Sequence, residues 1–215
     1  MERMEKEAVR YLGYGSCEAD DSTIRMIREI FGELCKTAKK RIVYRVFELH
    51  RTEDMRIGIG TMQIESRSLF KNLKGCEKAV LLGATLGIEV DILLKRYSCT
   101  DMARAVVLQA CAAAFLEEYL DGCQIEIAKE TAEKGYYPRP RFSPGYGDFS
   151  ILHQGDILAM LDAPRRIGLT MTEGSMLTPS KSVTALIGLG RQQENCPVEG
   201  CEACEKKDCP YRRCS

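Results

Sequence analysis

Between Asp20 and Lys40 the apolar side chains Ile24, Ile27, Phe31, Leu34 and Ala38 recur at spacings of three and four. That period predicts an amphipathic helix, with Asp20, Asp21 and Ser22 as candidate caps. The pattern then switches to alternation. Val43, Phe47 and Leu49 fall on one side of an extended segment over 41–49, and Ile42, Tyr44 and Val46 fall on the other. Apolar residues on both sides predict a strand covered on both faces. A second strand is expected over 56–64, where Gly58 and Gly60 permit a bulge or a close backbone approach, and a short helix over 66–73.

A third strand is expected over 78–84. The Thr85-Leu86-Gly87 turn leads into a helix reaching Tyr97, with Leu86, Val90, Leu93 and Leu94 inward. A longer helix follows Thr100 and runs to about Leu120. Its Ala103, Val106, Val107, Ala110 and Ala114 form a narrow small-residue face suited to close packing. Three prolines and three glycines between Gly135 and Gly147 predict a loop. A helix over 151–161 and strands over 167–171 and 183–189 complete the pattern. Helices and strands mix without regular βαβ alternation, so the predicted class is α+β, a mainly antiparallel sheet flanked by helices.

The chain has 215 residues, 45% of them hydrophobic. That is enough for one large domain, expected over 1–190, with a short appendage over 191–215. Lys and Arg number 31 and Asp and Glu number 31. The balance removes the electrostatic drive that nucleic-acid binding draws on. The N-terminal MERMEKEAVR has no apolar h-region, and no window approaches the ~18 uninterrupted apolar residues of a membrane span. A soluble cytoplasmic protein is the expectation.

Eleven cysteines are unevenly placed. Cys111 lies in an Ala-Cys-Ala-Ala-Ala run, where a thiol acts as a compact apolar side chain. Five others, Cys196, Cys201, Cys204, Cys209 and Cys214, crowd the last twenty residues at spacings of four, two, four and four intervening residues. Thiolates two residues apart can share one zinc ion. The opening C-x4-C-x2-C also matches the spacing of plant-type iron-sulfur ligands. Zinc, an iron-sulfur cluster and free or oxidised thiols all remain open for this tail. Arg212 and Arg213 could favour thiolate character or an acidic partner. His50 and His153 each stand alone in their segments, which favours surface or satisfied-core roles.

The loop Arg139-Pro140-Arg141-Phe142-Ser143-Pro144-Gly145-Tyr146-Gly147-Asp148 sets a guanidinium beside glycines and an aromatic ring. An arginine can grip a carboxylate with two parallel bonds, glycine lets a ligand approach the backbone, and a tyrosine face can cover a cation or a flat ring. A zwitterionic ligand suits that set. A stiffened surface loop with solvated arginines is the alternative on spacing alone.

Arg141-Phe142-Ser143-Pro144-Gly145-Tyr146, then 169–173 (Leu-Thr-Met-Thr-Glu) and 177–184 (Leu-Thr-Pro-Ser-Lys-Ser-Val-Thr), resemble the activation domain of cobalamin-dependent methionine synthase. Arg10-Tyr11-Leu12-Gly13-Tyr14 and Ala84-Thr85-Leu86-Gly87 resemble its free-standing form, so the likeness runs from about residue 8 to 190. The resemblance implies S-adenosylmethionine in a shallow groove and a cobalamin carried by a partner, a methionine synthase core lacking its own activation domain. One electron and a methyl group from S-adenosylmethionine would restore inactive cob(II)alamin, with the cobalt as nucleophile and flavodoxin or ferredoxin as a candidate electron source. By resemblance Arg141 holds the methionyl carboxylate, Pro144 and Gly145 line the groove, Tyr146 lies against the corrin, and Glu117 or Glu118 supplies a helical carboxylate.

The sequence departs from that family in having Gly147-Asp148-Phe149 where Pro-Ala-Cys is common, and Gly188-Leu189-Gly190-Arg191 where the last strand is aromatic-rich. Glu173 and Ser182 match the motif and also suit structural roles, a glutamate bonding a backbone amide and a serine closing a turn. Another corrinoid methyltransferase as client, or a metal-binding scaffold without ligand chemistry, are the competing functions. A Rossmann-type methyltransferase lacks support, because no Gly-rich strand-to-helix loop is present.

Overall fold

The structure, a computed structural model, describes residues 2–14, 19–52 and 54–192. These fall into two compact units. One draws on described residues between 2 and 39 and between 86 and 121; the other on those between 40 and 85 and between 122 and 192. The cysteine tail from Cys196 to Cys214 lies outside the described residues.

The first unit is helical. Helix α1 (Glu2–Tyr11) was not expected from the mixed-charge N-terminus; its Arg28 and Asp121 partners pair with Glu5 and Arg3 at 3.1 and 2.7 Å. Helix α2 (Asp21–Thr37) starts where predicted. Asp20 caps it by accepting from the backbone N–H of Ser22 and Thr23, each at 2.9 Å. Its buried stripe is Ile27, Ile30, Phe31 and Leu34, and burying each such side chain contributes roughly 1.5–3 kcal/mol before entropy is counted. An aspartate at Ile27 would break the stripe. Helix α4 (Ile88–Thr100) buries Val90, Leu93 and Leu94 as predicted.

Helix α5 (Met102–Ala132) is 31 residues long and does not stop near Leu120. Its inward face also differs from the expected one. Val107, Ala110 and Ala114 are buried, but Ala103 and Val106 are exposed, and Ala105, Leu108, Cys111 and Phe115 complete the face. Cys111 is wholly buried, and burial pushes its thiol up to about 12, as befits a side chain acting as a small apolar group.

The second unit holds a six-stranded antiparallel sheet whose strands, in spatial order, are β3 (Met62–Glu65), β2 (Arg56–Ile59), β1 (Arg41–Arg51), β4 (Cys76–Thr85), β8 (Ser182–Gly190) and β5 (Tyr137–Pro138). Strand β1 (Arg41–Arg51) pairs with β4 (Cys76–Thr85), and β4 pairs with β8 (Ser182–Gly190). The fold class is α+β with an antiparallel sheet, as the sequence predicts. Coverage of β1 is not as predicted. Val43 and Leu49 are buried, whereas Val46 is 47% exposed and Ile42 and Tyr44 are only half-buried, so one face carries the burial. The single strand expected over 56–64 is a hairpin of β2 (Arg56–Ile59) and β3 (Met62–Glu65). Gly60 takes φ 56° at the first position of its two-residue loop, the place where tight hairpins favour glycine.

Helix α3 (Arg67–Asn72) follows, capped by Ser66, whose hydroxyl accepts from Leu69 N–H at 3.1 Å. Strand β5 (Tyr137–Pro138) and helix α6 (His153–Leu161) come next. The strand expected over 167–171 shrinks to β6 (Thr170–Met171), because helix α7 (Ala163–Ile167) occupies the preceding residues with Pro164 in its first turn. Strand β6 pairs with β7 (Leu177–Thr178). One core cluster joins Leu49, Ile57, Ile64, Leu69, Leu81, Phe149, Ile157 and Leu161. Among the described residues no helix is long and apolar enough to cross a membrane.

Candidate functional site

The loop after β5 stays tied to the sheet. Arg139 N–H donates to the Gly188 carbonyl at 2.8 Å, and Phe142 and Leu186 exchange two backbone bonds of 2.9 Å. Residues 137–142 therefore run along β8 as its outer edge. Successive side chains on such an edge point to opposite faces. Phe142 packs on the core cluster, and the half-buried Arg141 donates from Nη1 to Gln124 Oε1 of α5 at 2.9 Å.

Past Phe142 the chain folds into a tight turn. Gly145 N–H donates to Phe149 O at 2.7 Å, Tyr146 N–H to Ser143 O at 3.2 Å, and Phe149 N–H to Tyr146 O at 3.0 Å. Gly145 and Gly147 take φ 94° and 55°, left-handed conformations that suit glycine. A Cβ on Gly147 would stand 2.8 Å from Ser68 Oγ, so this backbone runs against α3. Pro144 is buried, and Tyr146 projects outward with 69% of its surface exposed.

Asp148 fastens the turn, a role sequence reasoning missed. Its carboxylate accepts from Ser66 Oγ at 2.6 Å, from Arg67 N–H at 2.7 Å and from Ser68 N–H at 3.0 Å. The Ser66 hydroxyl and those backbone donors hold its pKa well below the usual carboxylate range. Phe149 follows, 1% exposed, with its ring 6.2 Å from that of Phe142 and stacked at 5.5 Å on His153. His153 Nδ1 lies 2.9 Å from Asp156 Oδ2, which gives this histidine the satisfied role expected of it. His50 is exposed on β1.

Glu117 and Glu118 are exposed on α5, in the first unit. Burial and, next, the Glu117 charge raise the pKa of the half-buried Tyr11 phenol, so Glu117 is the one of the pair that stands near the Arg10-Tyr11 motif. Arg10 itself lies 4.4 Å over the Tyr11 ring. Ser182 takes the turn-closing role: its hydroxyl donates to Pro179 O at 2.6 Å and lies 2.8 Å from Thr85 Oγ1. Glu173 is exposed between β6 and β7. Asp20 is engaged as the cap of α2.

Two open depressions lie behind the turn. One of about 350 Å³ is lined by Arg56, Glu65, Ser66, Arg67 and Asp148 among others; one of about 510 Å³ by Arg56, Gln63, Glu65 and His153 among others. Neither includes Arg141, Gly145 or Tyr146. Arg56 is already paired with Asp54 and Glu65 at 3.2 and 3.1 Å. Among the described residues no group of three His, Cys, Asp or Glu could hold a metal.

Fold and loop together define an α+β protein whose outer sheet edge presents an Arg-x-x-x-Gly-Tyr turn. Among solved structures, the chain is similar to the MetH reactivation domain bound to AdoHcy, with a TM-score of 0.60 and 15% sequence identity. The likeness covers 91% of this chain and 79% of that one, and establishes the fold. No family profile matches the sequence, and no curated protein matches it.

Proposed function

We propose that this chain is a free-standing accessory subunit that binds S-adenosylmethionine and supports reductive remethylation of cob(II)alamin on a methionine synthase core lacking such a domain. The observation that carries this reading is the rigid Arg141-x-x-x-Gly145-Tyr146 turn, in a chain with the fold of a reactivation domain solved with AdoHcy. Arg141 would meet the methionyl carboxylate with its planar fork, in place of or beside the Gln124 amide. Gly145, without a side chain, lets the ligand lie against the backbone, and Pro144 stiffens that wall. The exposed Tyr146 ring offers a flat face to the partner's corrin. The cobalt supplies the nucleophile; this chain's residues bind and orient the methyl donor.

Calorimetry with S-adenosylmethionine tests the reading. Losing charge-assisted hydrogen bonds worth roughly 1.5–3 kcal/mol predicts that Arg141→Ala weakens binding roughly 10- to 100-fold. Tyr146→Ala should bind normally yet slow remethylation of a partner's cobalamin. Absence of binding to the wild-type protein, or equal binding by Arg141→Ala, would sink it. Remethylation assays on separately purified corrinoid enzymes then identify the client, methionine synthase or another methyltransferase.

A further inference from the structure

Along α5, Leu120, Gln124, Ile127 and Thr131 recur at spacings of four, three and four, the period of one helix face. Leu120, Ile127 and Thr131 are buried, and Gln124 stands half-buried in the same stripe. An amide placed there gives up hydrogen bonds to water that an apolar side chain never had, so it needs a partner. It has one. Gln124 Oε1 accepts from Arg141 Nη1 at 2.9 Å. Both ends of this contact sit on fixed backbone. Tyr44 of β1 donates its hydroxyl to Glu130 Oε2 at 2.8 Å and holds this end of α5 to the sheet, while the two backbone bonds between Phe142 and Leu186 hold the residue after Arg141 to β8.

The contact also decides which way the amide points. A guanidinium donates and never accepts, so Gln124 must turn its oxygen to Arg141 and its NH2 group away. Among the described residues that NH2 group has no hydrogen-bond partner, and it is not sealed from solvent. An amide donor therefore stands beside the guanidinium, at the base of the Arg141 to Tyr146 loop.

The geometry points to Gln124 as a second carboxylate-binding residue, its Nε2 donating to one oxygen of the ligand's carboxylate while Arg141 donates to the other. This rests on the S-adenosylmethionine reading above and adds a selectivity to it. A carboxylate only accepts, so both of its oxygens need donors. A neutral amide serves Arg141 with its oxygen and the ligand with its nitrogen. Glutamate at this position would grip Arg141 but bring no donor and repel the ligand's carboxylate, and lysine would repel Arg141. The pair selects sulfonium ligands that keep the amino-acid carboxylate over those that have lost it.

Calorimetry on the full chain with two ligands tests this. S-adenosylmethionine should bind Gln124→Ala roughly 10-fold more weakly than wild type, the effect of one hydrogen bond to a charged group. Gln124→Glu, which still holds Arg141, should bind it more weakly still. Decarboxylated S-adenosylmethionine, which keeps the adenosyl and sulfonium groups, should bind wild type and Gln124→Ala with equal affinity. A Gln124→Ala protein that binds S-adenosylmethionine as wild type does, while Arg141→Ala does not, removes Gln124 from the site and leaves the binding reading standing. Equal losses of both ligands in Gln124→Ala would show that the amide only stiffens the loop, and undiminished binding of S-adenosylmethionine by Gln124→Glu would show that it only orients Arg141; either overturns the proposal. A wild-type protein that binds neither ligand overturns the S-adenosylmethionine reading and this inference together.

Discussion

Phe149→Ala tests whether the candidate loop is held by the core or merely rests on it. The Phe149 ring is 1% exposed, belongs to the main cluster of the second unit, and meets Phe142 at 6.2 Å and His153 at 5.5 Å. Truncating a buried phenylalanine costs about 3–5 kcal/mol, from lost transfer energy and the cavity left behind. Two ring neighbours, each contributing about 0.5–1.5 kcal/mol beyond area, place this site near the middle or top of that range. Relaxation around an edge loop pulls the other way, so about 4 kcal/mol is expected. With a urea slope of about 2–3 kcal/mol per molar, the midpoint should drop by roughly 1.5–2 M with the slope unchanged. Circular dichroism and tyrosine fluorescence, followed together, report whether the two units melt as one transition. The Phe149 backbone carbonyl, which accepts the Gly145 N–H, is kept in the alanine variant, so any fall in the proposed S-adenosylmethionine affinity reports loosening of the turn through loss of the ring. Phe149→Leu, which keeps most of the volume, should cost less than about 1.5 kcal/mol. A loss under about 1 kcal/mol for the alanine variant would refute the claim that this ring anchors the turn.

Two further outcomes follow from ionisable groups. Asp148 has its folded pKa depressed by Ser66 and the Arg67 and Ser68 amides, so its stabilisation is fully present above the unfolded value of about 4 and is lost as pH falls through the folded one. Asp148→Asn should therefore be less stable than wild type at pH 7, and the gap should close on acidification; a gap that is constant or widens toward acid counts against the anchor. Cys111, with its thiol pushed up to about 12 and no exposed surface, should resist alkylation in the folded protein while the exposed Cys35 and Cys99 react. Mass spectrometry showing Cys111 modified ahead of those two would contradict its burial.

Elements whose signal is local were legible. The stripe of α2, the capped start at Asp20 and the apolar run of β4 all declare themselves within a few residues, and the α+β class follows from their order. The fold departs from the sequence expectation where long-range burial decides. The helix expected to end near Leu120 runs on, because Leu120, Ile127 and Thr131 stay buried at spacings of seven and four, which carries α5 on to Ala132. Gly58 and Gly60 looked equivalent in sequence, and only Gly60 takes the left-handed turn that splits the strand. The face of α5 was misassigned because alanine and valine fit either side of a helix, and Ala103 and Val106 turn outward.

The candidate site divides in the same way. Arg141, Gly145 and Tyr146 were found from type and spacing, because their chemistry is carried by the residues themselves. What holds them was invisible: Gln124 lies 17 residues before Arg141, and the α3 amides lie some 80 before Asp148. The departure Gly147-Asp148-Phe149 reads in sequence as a different groove edge. In the fold each of its members secures the turn: Gly147 lets the backbone pass Ser68, Asp148 binds the start of α3, and Phe149 fills the core. A motif can thus lose its familiar continuation and keep a rigid loop, provided the replacement residues draw their support from elsewhere in the chain.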